Sequence, residues 1–169
     1  MNNDLISGAV FSENGRFRYA LWRFWNFQAA KNGNARAVMF IMGNPSIAGK
    51  YKDDPTIIKC AKLAQGWGYD GMHIGNLFAL IDTHWEYDPK TPEVELVGGE
   101  CDKWLATQYN SSVIRIAAWG FLGRYYPERV KAVRALFPEL HYLELSQDGQ
   151  PKHPLYLSMM VKPIPWEKE

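Results

Sequence analysis

Four short apolar runs, separated by long gaps, constrain the fold of this chain more than any other feature of its sequence. They cover residues 38–42, 72–78, 113–119 and 140–145. Each run has the length of a β-strand, and each gap is long enough for a crossover connection. Strands that alternate with helical segments are typical of a mostly parallel sheet with helices on both faces. The sequence therefore predicts a three-layer αβα domain with a central four-stranded, mostly parallel sheet.

Helix signals lie in the gaps between these runs. Asp54 is a predicted N-cap that precedes a proline at the first helical position, and Gly66 or Gly68 is expected to end that helix. A second helix is predicted over residues 101–109. A third is predicted to begin at Pro127, where apolar residues recur at helical spacing.

The two remaining segments are a predicted hairpin and a predicted loop. Residues 9–25, with a turn near Gly15, predict an N-terminal hairpin that precedes the sheet. Residues 86–99 are predicted to be the one long loop.

A length of 169 residues suits one domain, and neither a repeat nor a linker divides the chain. We therefore expect a single domain over residues 1–169.

Composition excludes several classes of protein. No apolar run approaches the ~20 residues of a membrane span, and the N-terminus lacks the basic and apolar regions of a secretory signal. Cys60 and Cys101 are too few for a disulfide framework, and no Cys or His pair has zinc-ligand spacing. We expect a cytoplasmic, monomeric protein with no bound metal and no membrane contact.

The charge is unevenly distributed along the chain. The net charge is only +1, but residues 82–102 hold seven acidic residues against one basic residue. The remainder therefore has 18 basic and 11 acidic residues, a net charge of +7. This asymmetry permits a surface that faces phosphates. An acidic, solvated loop on a mixed surface is the simpler reading.

Polar side chains follow or end the predicted strands. Because ligands of open parallel sheets bind outside the carboxyl ends of the strands, these side chains are the candidates for a site. Each also has a plain structural reading, since Asn-Pro is a turn sequence and a buried Asn can be satisfied by backbone groups. The candidates at the first, second and fourth runs are Gly43, Asn44, Pro45 and Ser46, then Asn76, and then residues 146–156 with His153.

Five short motifs carry a resemblance that covers nearly the whole chain. They resemble a family of bacterial and phage proteins known only as domains of unknown function. In their order along the chain they also resemble, more distantly, the uracil-DNA glycosylase superfamily and above all its mismatch-specific branch. The motifs are Arg18-Tyr19-x-Leu21-Trp22-Arg23, Asn44-Pro45-Ser46, Asp53-Asp54-Pro55-Thr56, Ala118-Trp119-Gly120 and Gly149-x-Pro151-x-His153-Pro154-Leu155.

The distant resemblance implies a uracil-DNA glycosylase-like fold and roles for particular side chains. Asn44 would orient the attacking water at the sugar C1′, and Asn76 would hydrogen-bond the edge of a flipped base. His153 would stabilise the charge that develops on the departing base. Either Leu155 or Tyr156 would fill the gap that the flipped nucleotide leaves.

Further residues are expected around these. Tyr51 is expected to stack on the base, and Asp53 is the spare carboxylate near the site. Gly43, Pro45 and Ser46 are expected to form the substrate-binding loop, while Arg23 and Lys152 are expected to contact DNA. Because Arg18 and Arg23 are five residues apart, they should point to opposite sides of a strand, so that only one faces a ligand.

The resemblance implies a hydrolase that acts as a DNA glycosylase on a damaged or modified base, in DNA repair or antiviral defence, and requires no cofactor. The uracil-specific branch has Asp-Pro-Tyr where this chain has Asn44-Pro45-Ser46, so a uracil substrate is not implied. Two alternatives remain open. One is an enzyme that processes free nucleotides or nucleosides, and the other is a catalytically silent module that binds nucleic acid.

Overall fold

The fold is built on one β-sheet with helices along the chain between its strands. The computed structural model describes residues 6–85, 88 and 90–167. The described strands are β1 (Ile6–Phe11), β2 (Arg18–Phe24), β3 (Ala37–Met42), β4 (Gly71–Asn76), β5 (Ile114–Ala117), β6 (His141–Tyr142) and β7 (Ile164–Pro165). The described helices are α1 (Phe27–Lys31), α2 (Pro55–Gly66), α3 (Glu93–Val97), α4 (Cys101–Asn110), α5 (Leu122–Tyr125) and α6 (Pro127–Leu136), followed by a 3₁₀ turn at Pro154–Tyr156.

The sheet is mixed and, in the described part of the chain, has seven strands in the order β1-β2-β4-β3-β5-β6-β7. Its neighbours β4, β3, β5 and β6 pair in parallel, whereas β1–β2, β2–β4 and β6–β7 pair antiparallel. The predicted α/β class is confirmed, but the sheet is not the predicted four-stranded one. The hairpin of β1 and β2 does not merely precede the sheet, because β2 pairs with the edge of β4 and covers it.

Strand β3 separates two hydrophobic layers. All six of its residues are buried, as expected for a central strand with helices on both faces. Met39 and Ile41 pack on the side that carries Leu105 of α4. Phe40 and the other alternate residues of β3 pack on the opposite side, against Ile57 and further residues of α2. We call this second side the α2 face.

The helix boundaries follow the local signals in the sequence. The Asp54 carboxylate accepts a hydrogen bond from the Ile57 N–H at 2.9 Å and caps α2, which begins at a proline. The predicted helices α2, α4 and α6 are present. The prediction of a long loop over residues 86–99 was wrong in part, since α3 lies within it. Glu86, Tyr87 and Pro89 of that segment lie outside the described residues.

A β-bulge in the hairpin changes which side chains share a face. Ala20 pairs with Val10 but Arg18 pairs with Phe11, so that Tyr19 is the extra residue of β2. Tyr19 accordingly packs on the α4 side, while Leu21 packs on the α2 face. The expectation that Arg18 and Arg23 point to opposite sides was therefore wrong. Both guanidinium groups donate to the loop after β3, at the carbonyl oxygens of Ala48 and Gly49 respectively.

Replacement of Leu105 by alanine tests the assignment of the core on the α4 side. The Leu105 side chain is fully buried, so Leu105→Ala should lower the free energy of unfolding by about 2–5 kcal/mol. Leu136→Ala is the matched control, because Leu136 is an exposed helical leucine and its loss should cost less than about 0.5 kcal/mol. Equal midpoints for the two variants in urea unfolding would contradict this packing.

Candidate active site

The strand ends on the α2 face open into one cleft of about 330 Å³. Asn44 follows β3, Asn76 ends β4, and His153 precedes the 3₁₀ turn near the end of the chain. All three line this cleft, and so does Ser46. The parallel pairing of β3 with β4, which ends with Met42 opposite Asn76, brings the first two residues to the same edge of the sheet. The structure thus brings together side chains that are up to 109 positions apart.

The amide of Asn76 is the most unusual polar group in the cleft. Its residue is 2% exposed, and neither Oδ1 nor Nδ2 has a hydrogen-bond partner among the described residues. A buried polar group left unpaired costs about 1–3 kcal/mol, and nearly all such groups in proteins are satisfied. An amide that presents both a donor and an acceptor to a cleft is suited to bind the edge of a polar ligand.

The side chain of Asn44 is held in a defined orientation. Its Nδ2 donates to the carbonyl oxygens of Asp82, at 2.7 Å, and of Pro45, at 3.1 Å. The Asp82 N–H in turn donates to the Pro45 carbonyl, at 3.0 Å. These bonds use the amide hydrogens of Asn44 and leave its Oδ1 as the acceptor that it can offer to a water molecule.

Gly43 sets how closely the loop after β3 approaches α5. A Cβ atom at this position would lie 2.6 Å from Leu122 Cδ1 and 3.1 Å from the Trp119 carbonyl oxygen. Gly43 and Pro45 are buried, so their part in the loop is to position Asn44 and Ser46 rather than to present side chains. A side chain at position 43 would require Leu122 and the Trp119 carbonyl group to move.

The ring of His153 is suited to donate a hydrogen bond while neutral. Its Nδ1 accepts from the Leu155 N–H at 3.4 Å, which favours the tautomer with the proton on Nε2. Burial lowers the pKa of His153 below its usual 6.5, although the nearby Asp54 charge opposes this shift. The His153 backbone and Cβ pack beside Gly120, where an added Cβ would lie 3.2 Å from the His153 Cβ.

Arg23 and Asp53 do not occupy the places expected of them. Arg23 is buried and its Nη2 lies 2.7 Å from Asp53 Oδ1, so each neutralises the other. Neither residue lines the cleft. The prediction that Arg23 contacts DNA is corrected, because a buried, paired guanidinium is not available to a phosphate. Asp53 is likewise not a spare carboxylate of the site.

The residues that were expected to stack on a base or to contact DNA differ in their exposure to solvent. Tyr51 is 80% exposed and does not line the cleft, which corrects the expectation that it stacks on a base bound there. Tyr156 is 86% exposed, and its ring centroid lies 6.4 Å from that of His153. Leu155 is half-buried. Lys152 is exposed, and its Nζ lies 3.0 Å from Glu144 Oε2.

Sequence analysis missed two polar groups of the cleft. The Nε of Arg18 and the indole Nε1 of Trp85 are buried with no partner in the described part of the chain, and both residues line the cleft. The Trp85 ring stacks on Phe78, just beyond β4, with 5.4 Å between centroids. No local signal marks Trp85, whereas Arg18 stands in a motif that was noted but was assigned to the wrong face.

Neither a metal site nor a membrane-spanning helix is found in residues 6–85, 88 and 90–167. They contain no group of three or more His, Cys, Asp or Glu side chains placed to hold a metal ion. They also contain no helix whose length and hydropathy would let it cross a membrane.

The chain belongs to a protein family that is described as a protein of unknown function (DUF1643), and the family matches it over residues 18–155. That range includes every residue placed around the cleft above, apart from Tyr156. No curated protein and no solved structure shows significant similarity to the chain.

Replacement of the Asn76 amide by an apolar side chain of similar size should stabilise the protein. Asn76→Leu removes two unpaired buried polar atoms, so the free energy of unfolding should rise by about 1–3 kcal/mol. Gln108→Leu is the control, since it removes only one unpaired atom, Oε1, and also removes the Nε2 bonds to the carbonyl oxygens of Leu21 and Ile74, whose loss should destabilise. Urea unfolding measures both changes. A loss of stability in Asn76→Leu as large as that in Gln108→Leu would show that Asn76 has partners.

Proposed function

We propose that the chain is a DNA glycosylase that hydrolyses the N-glycosidic bond of a damaged or modified base. The observation that carries the proposal is the unpartnered, buried amide of Asn76 at the bottom of a cleft whose wall also holds Asn44 and His153. A base extruded from DNA is read by hydrogen bonds to its edge within a closely fitting pocket. A cleft of about 330 Å³ has the size for such a base.

Asn44 would position the nucleophile. An amide is not a strong general base, so its part is to orient water toward C1′ rather than to remove a proton early. With both amide hydrogens used by carbonyl oxygens, Oδ1 would accept a hydrogen bond from the water and direct a lone pair of the water oxygen at the sugar. As the C1′–N bond breaks, the sugar gains oxocarbenium character. The attacking water then loses its proton to solvent or to the departed base.

His153 would lower the cost of base departure. The bonding electrons leave with the base, whose carbonyl oxygen becomes negatively charged. A neutral imidazole with its proton on Nε2 would donate to that oxygen in a water-poor site, where a preorganised donor is most effective. Burial disfavours the charged imidazolium, so the neutral ring would donate a hydrogen bond and would not transfer a proton as a general acid.

The surface beside the cleft has features that suit a DNA strand. Tyr156 and Phe121 are exposed aromatic side chains that share a second hollow with His153. Exposed aromatic rings stack on bases, and an apolar residue can occupy the space of a flipped nucleotide. Lys50, Lys52 and Lys152 are exposed and would face phosphates. Because Tyr156 is far more exposed than Leu155, we assign the wedge role to Tyr156.

The proposal includes a uracil-DNA glycosylase-like fold for the α/β sheet and a bacterial or phage origin for the family. Its support is the parallel set β4-β3-β5 with polar residues at its carboxyl edge, together with the order of the motifs. It also places the protein in the cytoplasm, in DNA repair or in antiviral defence, where modified phage bases would be substrates. The reaction uses water and protein side chains.

A panel of defined DNA duplexes and single strands tests the proposal. The panel carries uracil, 5-hydroxymethylcytosine, its glucosylated form and alkylated bases, and alkaline cleavage reveals abasic sites. We expect strand breaks with at least one modified base and none with unmodified DNA. If intact protein releases no base from any member, while it binds or processes free nucleosides, the glycosylase proposal fails.

Substitutions of Asn44 and His153 should separate catalysis from binding. Asn44→Ala should reduce the single-turnover rate strongly while DNA affinity stays nearly unchanged, because Asn44 would act on the attacking water. His153→Ala should reduce the rate by about 10²–10³, which is typical of the loss of one preorganised donor. Asn110→Ala, at the exposed end of α4, is the control. Wild-type rates in both site variants on an authentic substrate would disprove these assignments.

Substitution of Tyr156 should weaken capture of the flipped base. Loss of one stacking aromatic costs about 1–3 kcal/mol of binding free energy, so Tyr156→Ala should show this loss and a smaller signal from 2-aminopurine placed beside the target. Tyr51→Ala is the matched control, since Tyr51 is similarly exposed but lines neither the cleft nor the second hollow that Tyr156 shares with His153. A larger effect in Tyr51→Ala would return the stacking role to Tyr51.

A second candidate is an enzyme that acts on free nucleotides or nucleosides with the same cleft. The weak net charge of +1 and the pairing of Lys152 and Arg124 with carboxylates favour it. Ionic strength separates the two candidates. Binding to a DNA backbone weakens steeply with added salt because counterions are released, whereas binding of a nucleoside changes little.

A further inference from the structure

Three buried arginines differ in how their charges are neutralised. Arg23 forms an ion pair with Asp53, and Arg129 binds Asp102 through both terminal nitrogens, at 3.1 Å from Nη1 to Oδ2 and with Nη2 against Oδ1. Arg18 is as buried as these two, at 3% exposed, but forms no ion pair within the described residues. Burial of a charge is costly unless the charge is paired. Arg18 is thus the arginine that lacks a counterion.

Arg18 lines the cleft and keeps hydrogen-bonding capacity that the described residues do not use. Its Nη1 donates to the Ala48 carbonyl oxygen at 2.6 Å, which holds the side chain in place. Its Nε–H has no partner in the described part of the chain, and the residue lines the same cleft as Asn76. A fixed guanidinium with a free N–H on a cleft wall can bind a ligand oxygen in a defined direction.

The bulge at Tyr19 explains why Arg18 lies beside Asn76. Leu21 pairs with Ile74, and both side chains pack on the α2 face. Asn76 is two residues after Ile74 in β4, and Tyr19 is two residues before Leu21 in β2. Regular antiparallel pairing would therefore place Tyr19 beside Asn76. The extra residue in the bulge turns Tyr19 to the α4 side and brings Arg18 to the α2 face instead. A charged donor therefore neighbours the free amide at the bottom of the cleft.

The carboxylates of the cleft do not take the place of a counterion. Asp54 and Asp82 line the cleft, but neither forms an ion pair with Arg18 among the described residues, and each accepts a backbone N–H, from Ile57 and His84 respectively, at 2.9 Å. Asp54 acts on Arg18 only through space. Burial lowers the pKa of Arg18 to about 10, which still leaves it charged at neutral pH. The charge is permanent under physiological conditions, and its direct partner is missing.

We propose that Arg18 binds an oxyanion of the ligand, either a carboxylate carried by a modified base or the phosphate of a nucleotide. The Nε–H would donate to one oxygen, while Asn76 would bind the adjacent polar edge of the base. Such a ligand would supply the counterion that Arg18 lacks, so the cleft would select an acidic ligand over its neutral analogue. This assignment uses the cleft of the proposed function but does not depend on cleavage of a glycosidic bond.

Matched pairs of small ligands test the assignment by calorimetry. The first pair is 5-carboxyuracil and thymine, and the second is 2′-deoxyuridine 5′-monophosphate and 2′-deoxyuridine. We expect one acidic member to bind about 10- to 100-fold more tightly than its neutral partner, as for a hydrogen bond to a charged group. The pair that shows the preference identifies the source of the oxyanion. Equal binding within both pairs would overturn the proposal.

Three variants then assign the preference to Arg18. Arg18→Met should abolish it, and Arg18→Lys, which keeps the charge but lacks the Nε–H geometry, should retain only part of it. Arg129→Met is the matched control, because Arg129 is a buried arginine outside the cleft. It should lower the melting temperature but leave the preference intact. An unchanged preference in Arg18→Met or Arg18→Lys, or an equal loss in Arg129→Met, would refute the assignment. If Arg18-dependent binding is found without base release, only the glycosylase proposal fails.

Discussion

The burial of β3 on both faces is the constraint on which the rest of the structure depends. Six consecutive buried residues need helices above and below them, and they need hydrogen-bonded strands on both sides. Parallel pairing with β4 aligns the carboxyl ends of the two strands. The chain leaves that edge through a loop after β3, so Asn44, which follows β3, lies near Asn76, which ends β4. The cleft is a direct consequence of this pairing.

The cleft retains polar groups that the protein itself does not satisfy. Asn76, Trp85 and Arg18 each have a buried nitrogen without a partner among the described residues. Other residues of the same types are bonded, as in the Arg23–Asp53 and Arg129–Asp102 pairs and in the Trp25 Nε1 bond to the Tyr69 carbonyl oxygen. These three residues hold four of the eight buried side-chain atoms that lack a partner among the described residues, and such atoms have a cost in stability. Groups of this kind persist where a ligand completes them.

The candidate site illustrates how a small irregularity changes function. Without the bulge, the regular alternation of β2 would place Tyr19 beside Asn76 and Arg18 among the apolar residues on the α4 side. The extra residue in the bulge reverses the faces of these two side chains, so that Tyr19 packs in the core and Arg18 lines the cleft. The same shift leaves Arg18 and Arg23 side by side on the α2 face. Arg23 takes the carboxylate of Asp53, and Arg18 is left without one.

The sequence by itself determined the α/β class, the hairpin, the starts of α2, α4 and α6, and the strand-end positions of Asn44 and Asn76. Local signals carry this information, because apolar periodicity, N-caps and prolines act within a few residues. Only the tertiary structure decided that the hairpin joins the sheet, that Asp53 pairs with Arg23 and that Tyr51 lies away from the cleft. It alone also brought Trp85 to Phe78 and Arg18 to Asn76. These outcomes depend on contacts between residues far apart in the chain and on a register shift in the hairpin. Neither the contacts nor the register shift produces a periodic pattern of residues that can be recognised in the sequence.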